Sequence, residues 1–190
     1  MNYFKKILGD RIYLSPRSSS LEEVEQFTRW LNDFDITDYV GKSNQVITFS
    51  GEKEWLDKAV SKPGAQAFFI VELATDKLIG VISLENFDYT SRNATLGIFI
   101  GEKDYHSKGY GTEAINLILE YGFKYLNLHS IKLDLVSANE RAHKSYLKCG
   151  FKDTGYTRDN IFINGKYYDK LHMDILENEF TGEYIRNKNL

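Results

Sequence analysis

The chain has 190 residues, 42% of them apolar and 27% charged, which fits one soluble domain with a full hydrophobic core. Lys and Arg total 24 against 27 Asp and Glu, a net charge of −3, which argues against nucleic acid as the main partner because duplex binding needs a basic face. No run reaches the roughly 18 apolar residues needed to cross a bilayer, and Met1–Lys6 lacks an apolar stretch before a cleavage-like site, so a cytoplasmic protein away from membranes is expected.

Taken in chain order, Arg11–Leu14 reads as a first strand ending before Pro16. Ser19 or Ser20 caps a helix, with Glu22 or Glu23 completing a capping box, and Leu21, Val24, Phe27 and Leu31 share its apolar face. Residues 33–46 have no clear period and read as a loop or short turns. Ser50 caps a second helix carrying Trp55, Leu56 and Val60. Pro63-Gly64 marks a connection. Ala67–Val71 and Leu78–Phe87 form a hairpin across Thr75-Asp76-Lys77, and Ala94–Ile100 is the next strand.

A glycine turn follows, then a helix from about Lys108 to Leu126 with Ala114, Leu117, Ile118, Tyr121 and Tyr125 on one face. Ile131–Val136 alternates as a strand. Asn139 starts a short helix through Lys148 that Gly150 terminates. Cys149 is the single cysteine. It lies at this helix end without metal-ligand spacing and reads as a buried structural thiol; no metal site is expected. Phe151–Ile163 and Lys166–Leu176 form a hairpin across Asn164-Gly165, and a polar, frayed tail follows from Glu177. The 13 Tyr and 12 Phe suit strands and the lining of grooves. The strand–helix–strand segment 94–136 requires a parallel crossover, so a mixed sheet with helices on its faces follows.

The segment with most chemical content is His106-Ser107-Lys108-Gly109-Tyr110-Gly111-Thr112. Small residues at 109 and 111 let a ligand approach the backbone, and the free N–H groups of the helix start favour a phosphate or diphosphate. The glycines fit G-x-G, but Ala114 breaks the dinucleotide fingerprint, no acid follows at the required spacing, and the Walker sequence is absent. Neither common nucleotide motif is met.

The segment resembles motif A of the GNAT superfamily of acyl-CoA-dependent N-acyltransferases: Gln or Arg, two residues, Gly, one residue, Gly or Ala. Here His106 takes the first position, with Gly109 and Gly111 at the others. Asn139-Glu140-Arg141-Ala142 and Ser145-Tyr146-Leu147-Lys148-Cys149-Gly150-Phe151 resemble the family's N-x-x-A…Y-x-x-x-G-F block. Asn86-Phe87-Asp88-Tyr89, Arg92 and Leu96-Gly97-Ile98 resemble the branch of ribosomal-protein N-terminal acetyltransferases and spermidine acetyltransferases. The likeness is close over residues 70–176 and loose over the first 65.

The resemblance implies an α/β (α+β) fold with a mixed, mostly antiparallel sheet of about seven strands and helices on both faces. It implies an acetyl-CoA-dependent N-acetyltransferase acting on a primary amine, either a protein N-terminus or a small amine such as a polyamine, aminoglycoside or amino sugar. The runner-up is a catalytically silent acyl-CoA-binding regulatory module. By the same resemblance, the cradle His106, Ser107, Lys108, Gly109, Tyr110, Gly111 and Thr112 holds the coenzyme A diphosphate. The backbone of Ile98, Phe99 and Ile100, with Asn139 and Lys144, holds the rest of the cofactor.

Tyr146 is the expected acid for the leaving thiolate, since a phenol is protonated at neutral pH. Where many relatives carry a glutamate base, this chain has Thr95. Glu85 and Asp88 are the candidate bases; a regular strand would put them on opposite faces, with a water relay or a histidine (His106, His143) as alternatives. Relatives in the family are often dimers, which makes the aromatic hairpin Tyr156–Tyr168 a candidate homodimer surface.

Overall fold

A computed structural model describes residues 3–61 and 66–187; the Pro63-Gly64 connection lies outside them. In chain order the elements are β1 (Ile7–Leu8), β2 (Ile12–Pro16), α1 (Leu21–Leu31), α2 (Phe34–Val40), α3 (Phe49–Ser61), β3 (Gln66–Glu72), β4 (Leu78–Asp88), β5 (Asn93–Ile100), α4 (Tyr110–Lys124), β6 (Ser130–Val136), α5 (Glu140–Lys148), β7 (Lys152–Ile163) and β8 (Lys166–Leu176). The strands form one sheet in the order β1-β2-β3-β4-β5-β6-β8-β7. Every neighbouring pair is antiparallel except β5 and β6, which run parallel because α4 carries the chain across between them. The described residues hold eight strands rather than about seven. The addition is β1, whose two residues pair with Leu14 and Tyr13.

The two faces of the sheet bury separate cores. Ile12, Ile70, Ile82, Leu84, Leu133 and Ile175 pack with Leu117 and Ile118 of α4 and Tyr146 of α5. Tyr13, Phe69, Val71 and Val81 pack on the opposite face with Val24, Phe27 and Trp30 of α1, Ile36 of α2 and Leu56 of α3. The alternation of side chains along each strand feeds both cores at once.

Several local expectations change. Ser20 caps α1 with Glu23 in a reciprocal capping box, but Leu21 is exposed and Trp30 is buried instead; Leu21 is the first helical residue and precedes the packed stripe. Residues 33–46 contain a helix, α2, capped by the Asp33 side chain and ended by left-handed Gly41. Its seven residues span under two turns, too short for a period to emerge.

In α3 the Thr48 hydroxyl, not Ser50, accepts an N–H, from Gly51. Leu56 is buried there while Trp55 and Val60 are exposed. Tyr125 lies just past α4 and is exposed. The Asn164-Gly165 turn has positive φ at both residues, 47° and 79°, as a tight two-residue hairpin requires.

The C-terminal segment is not frayed through residue 187. Ile185 is buried, and Phe180 and Tyr184 pack on the α4-side core. Glu120, fully buried on α4, accepts the backbone N–H groups of Tyr184 and Ile185. Arg186 donates its N–H to Leu8 and pairs with Asp10. A polar sequence hid this docking because its anchor is a carboxylate on another element. Glu120→Ala is expected to lower unfolding stability by about 2–3 kcal/mol in urea titration, and to open the segment after Glu177 to limited proteolysis.

Candidate active site

The site is built around a split in the sheet. β5 pairs with β6 only at Asn93↔Ser130, Ala94↔Ile131 and Thr95↔Lys132. From Leu96 to Ile100 that edge of β5 meets no strand among the described residues, although the other edge stays paired to β4 as far as Ile100↔Gly80. Apart from the Ile100 carbonyl, which His106 Nε2 reaches at 2.8 Å, its outward backbone groups are therefore available to an extended ligand. Ile98, Phe99 and Ile100 all lie on this open stretch. Asn139 lies on its far side, just after β6, where its Oδ1 accepts the Ala142 N–H and caps α5.

At the end of β5, a 3₁₀ turn over Lys103–Tyr105 leads into the glycine turn. Ser107 (φ 59°) and Gly109 (φ 86°) are left-handed, and Gly109 caps α4 without any side-chain hydrogen bond. Among the described residues, no N–H from Ser107 to Thr112 finds an acceptor. A concave run of free amides ahead of a 15-residue helix is an anion cradle. A Cβ at Gly111 would meet only Ile100, at 3.9 Å, so protein packing does not demand glycine there; the missing side chain leaves the backbone open to a ligand.

Three charged side chains missed from sequence brace the cradle. Arg11 Nη1 donates to the Lys108 carbonyl at 3.0 Å, its Nε pairs with Glu113 at 2.9 Å, and its guanidinium covers the Tyr110 ring at 4.5 Å. Glu113 also accepts the N–H groups of Asp10, Arg11 and Ile12, so the β1–β2 turn and the α4 start are locked together. Arg141 Nη1 reaches His106 Nδ1 at 2.9 Å, and His106 Nε2 reaches the Ile100 carbonyl at 2.8 Å. With Nδ1 accepting, the proton sits on Nε2: His106 is a brace between β5 and α5, not a base. Lys108 is exposed at the turn. Lys144 is exposed on α5 with Glu140 as its partner, and no contact joins it to the cradle. No sequence motif marks Arg11 and Glu113, 102 positions apart.

Tyr146 is buried on α5, edge-on to Phe151 at 5.8 Å, and its hydroxyl has no hydrogen-bond partner among the described residues. Burial, with a smaller contribution from Cys149, pushes its phenol up to about 12. The Cys149 thiol is buried, donates to the Thr112 carbonyl, and is raised to about 12 by burial, which fits a structural thiol.

The two candidate carboxylates differ. Glu85 is exposed, pairs directly with Thr95, and accepts from Ser83 Oγ at 2.8 Å. It lies on the face lined by Val81 and Phe99, away from α4. A bulge between Glu85 and Asp88 corrects the opposite-face expectation: their partners Thr95 and Asn93 are two apart, so the extra β4 residue returns Asp88 to the same side. Asp88 is however occupied by its turn, accepting from the N–H groups of Thr90 and Ser91, which hold its carboxyl below the usual range.

Across the split on that face, His172 of β8 bridges Asp134 of β6 at 2.7 Å and Thr157 of β7 at 2.8 Å. His143 instead pairs with Asp153. Among the described residues, no group of three or more His, Cys, Asp or Glu could hold a metal.

An uncapped anion cradle opening onto a half-unpaired strand suits a ligand with a diphosphate and an extended, amide-bearing arm. The family model for the GNAT acetyltransferase domain matches residues 11–152. The chain belongs to the GNAT family. Within it, the chain is 37% identical over 116 residues to a spermidine N(1)-acetyltransferase of Vibrio cholerae, covering 61% of this chain and 66% of that protein. It is 32% identical over 106 residues to YdaF of Bacillus subtilis, provisionally named a ribosomal N-acetyltransferase, covering 56% and 57%.

The matched segments thus span less than two thirds of these curated relatives. The fold match is fuller: a crystal structure of the Vibrio cholerae spermidine N-acetyltransferase with CoA and spermine superposes with a TM-score of 0.80 at 28% identity, covering 89% of this chain and 97% of that one. The free amides of the glycine turn and the open β5 edge fit coenzyme A as a bound group. Arg11→Met, which frees the Lys108 carbonyl, is expected to weaken coenzyme A binding roughly tenfold by calorimetry while the far-UV spectrum is unchanged.

Proposed function

We propose that this GNAT protein transfers an acetyl group from acetyl-CoA to a primary amine by direct attack on the thioester. The observation that carries the proposal is the open β5 edge running between the uncapped cradle and the Glu85 face, with Tyr146 buried in the core that Ile98 and Ile100 pack against. In this reading the diphosphate of acetyl-CoA lies on the amides of Ser107–Thr112, and its pantetheine arm lies along Leu96–Ile100, with Asn139 and Lys144 on the α5 side.

An amine is nucleophilic only when neutral, so a base must take its proton. Glu85, directly opposite Thr95 where the split begins, is that base. The nitrogen lone pair forms the C–N bond, the carbonyl oxygen becomes an oxyanion facing the N–H near Phe99, and collapse breaks the C–S bond. Tyr146 gives its proton to the departing sulfur. Because burial holds Tyr146 near 12, the acid stays protonated across the whole working range. Activity is then expected to rise with pH as the amine loses its proton, with no descending limb below about pH 10.

The test is thiol release from acetyl-CoA over an amine panel. Tyr146→Phe is expected to lower kcat about 10–100-fold with little change in KM for acetyl-CoA. Glu85→Gln is expected to lower kcat by a similar factor, whereas His172→Gln leaves kcat within about twofold. If His172→Gln lowers kcat by that factor and Glu85→Gln does not, the base is the Asp134–His172 pair. No thiol release with any amine would overturn the proposal in favour of a silent acyl-CoA-binding module.

A further inference from the structure

Arg17 directly follows β2 and continues the alternation of Tyr13 and Ser15 onto the Glu85 face. The pairings Ser15↔Phe69, Ala67↔Ser83 and Ser83↔Gly97 put Ala67, Ser83 and Gly97 in one cross-strand row, in line with Arg17. All three are small, so little side-chain bulk stands along this strip from Arg17 to the split; Ser83 is buried within it and Gly97, at the split, is exposed. Helix α3 walls it. Glu52 and Trp55, three residues apart, share one helix face, and the Arg17 guanidinium lies over the Trp55 ring at 5.7 Å. Lys42 approaches the same ring at 5.6 Å.

Two buried side-chain atoms among the described residues have no hydrogen-bond partner, and both are here: Arg17 Nε and Glu52 Oε1. Glu52 is 5% exposed. Burial raises its carboxyl, while Lys42 and Arg17 pull it down. Arg17 senses Glu52 and Glu85 as charges yet forms an ion pair with neither. A buried donor and a buried acceptor left open on one strip are unfavourable unless a bound group completes them.

We infer that Arg17 and Glu52 form the recognition subsite for the acceptor, and that the acceptor is an amine carrying hydrogen-bonding oxygen, as in an amino sugar or the amino-terminal residues of a peptide, rather than a polyamine. This rests on the function proposed above. The guanidinium Nε is a donor only and stays charged, so its partner must be an oxygen acceptor. A protonated polyamine offers N–H donors alone and places its second cation towards Arg17, where like charges repel. A hydroxyl or peptide group satisfies both atoms: oxygen to Arg17 Nε, and O–H or N–H to Glu52. From β2 to β5 is three strand spacings of about 4.8 Å, and the Arg17 guanidinium lies close enough to Glu85 on β4 to feel its charge. The oxygen therefore belongs within a sugar ring or two peptide units of the amine.

The experiment compares kcat/KM for spermidine, glucosamine and a seryl-alanine amide in the wild-type protein, Arg17→Met, Arg17→Lys and Glu52→Gln, each checked for folding by thermal melt. Arg17→Lys keeps the charge but loses the Nε donor, and with Glu52→Gln it carries the test if Arg17→Met does not fold. The expected result is a wild-type preference for glucosamine or the dipeptide, and a fall of that preference by roughly 10–100-fold in the Arg17 variants, through KM for the acceptor. Glu52→Gln is expected to shift it the same way. A wild-type preference for spermidine, or an equal loss on all three amines, overturns the subsite while leaving the acetyl-transfer proposal standing. Absence of acetylation with every amine overturns both.

Discussion

The rest of the structure depends on the point where β6 stops pairing with β5. Up to Thr95 and Lys132 the parallel ladder is intact; beyond them β5 keeps only its β4 partner. A sheet interior normally leaves no edge unpaired, because open N–H and C=O groups are a liability. Here the open edge is short, flanked by the two cores, and aimed at the start of α4. The long connection that a parallel pair demands is the same segment that supplies the cradle, so one topological requirement yields both halves of the candidate site.

Rigidity around the split comes from polar contacts distant in sequence. Glu113 gathers three backbone N–H groups and the Arg11 guanidinium, and His106 ties the cradle to Ile100 and Arg141. Trp30 lies against Gly101, where any Cβ would collide with its ring at about 2.1 Å, and it donates to Glu102. The last residues of β5 are thus held from the α1 side by an indole and from the α4 side by an imidazole. A cradle of backbone amides discriminates by geometry, so fixing its ends matters more than adding charge to it.

Regular elements with whole-face periodicity were legible in the chain. The strand Lys166–Leu176, the Asn164-Gly165 turn, the Ser20 capping box and the parallel crossover all carry local signals strong enough to read. So did the glycine turn, whose chemistry is in its own backbone. What stayed hidden lacks a local signal: α2 spans under two turns, too short for a repeating face to show, and the C-terminal segment docks on a buried glutamate 64 residues earlier. The bulge at Asn86 reverses the face of Asp88. Arg17 and Glu52 carry no motif at all; the register across β2, β3 and β4 sets Arg17 in line with Gly97, and α3 brings Glu52 beside it.

The central claim is that one ligand occupies both the open β5 edge and the glycine turn. Hydrogen–deuterium exchange with and without coenzyme A tests it directly. Slowed exchange at the amides of Leu96–Ile100 together with Ser107–Thr112 is the predicted result. Protection of the glycine turn alone, with the β5 edge exchanging as in the free protein, would contradict the account.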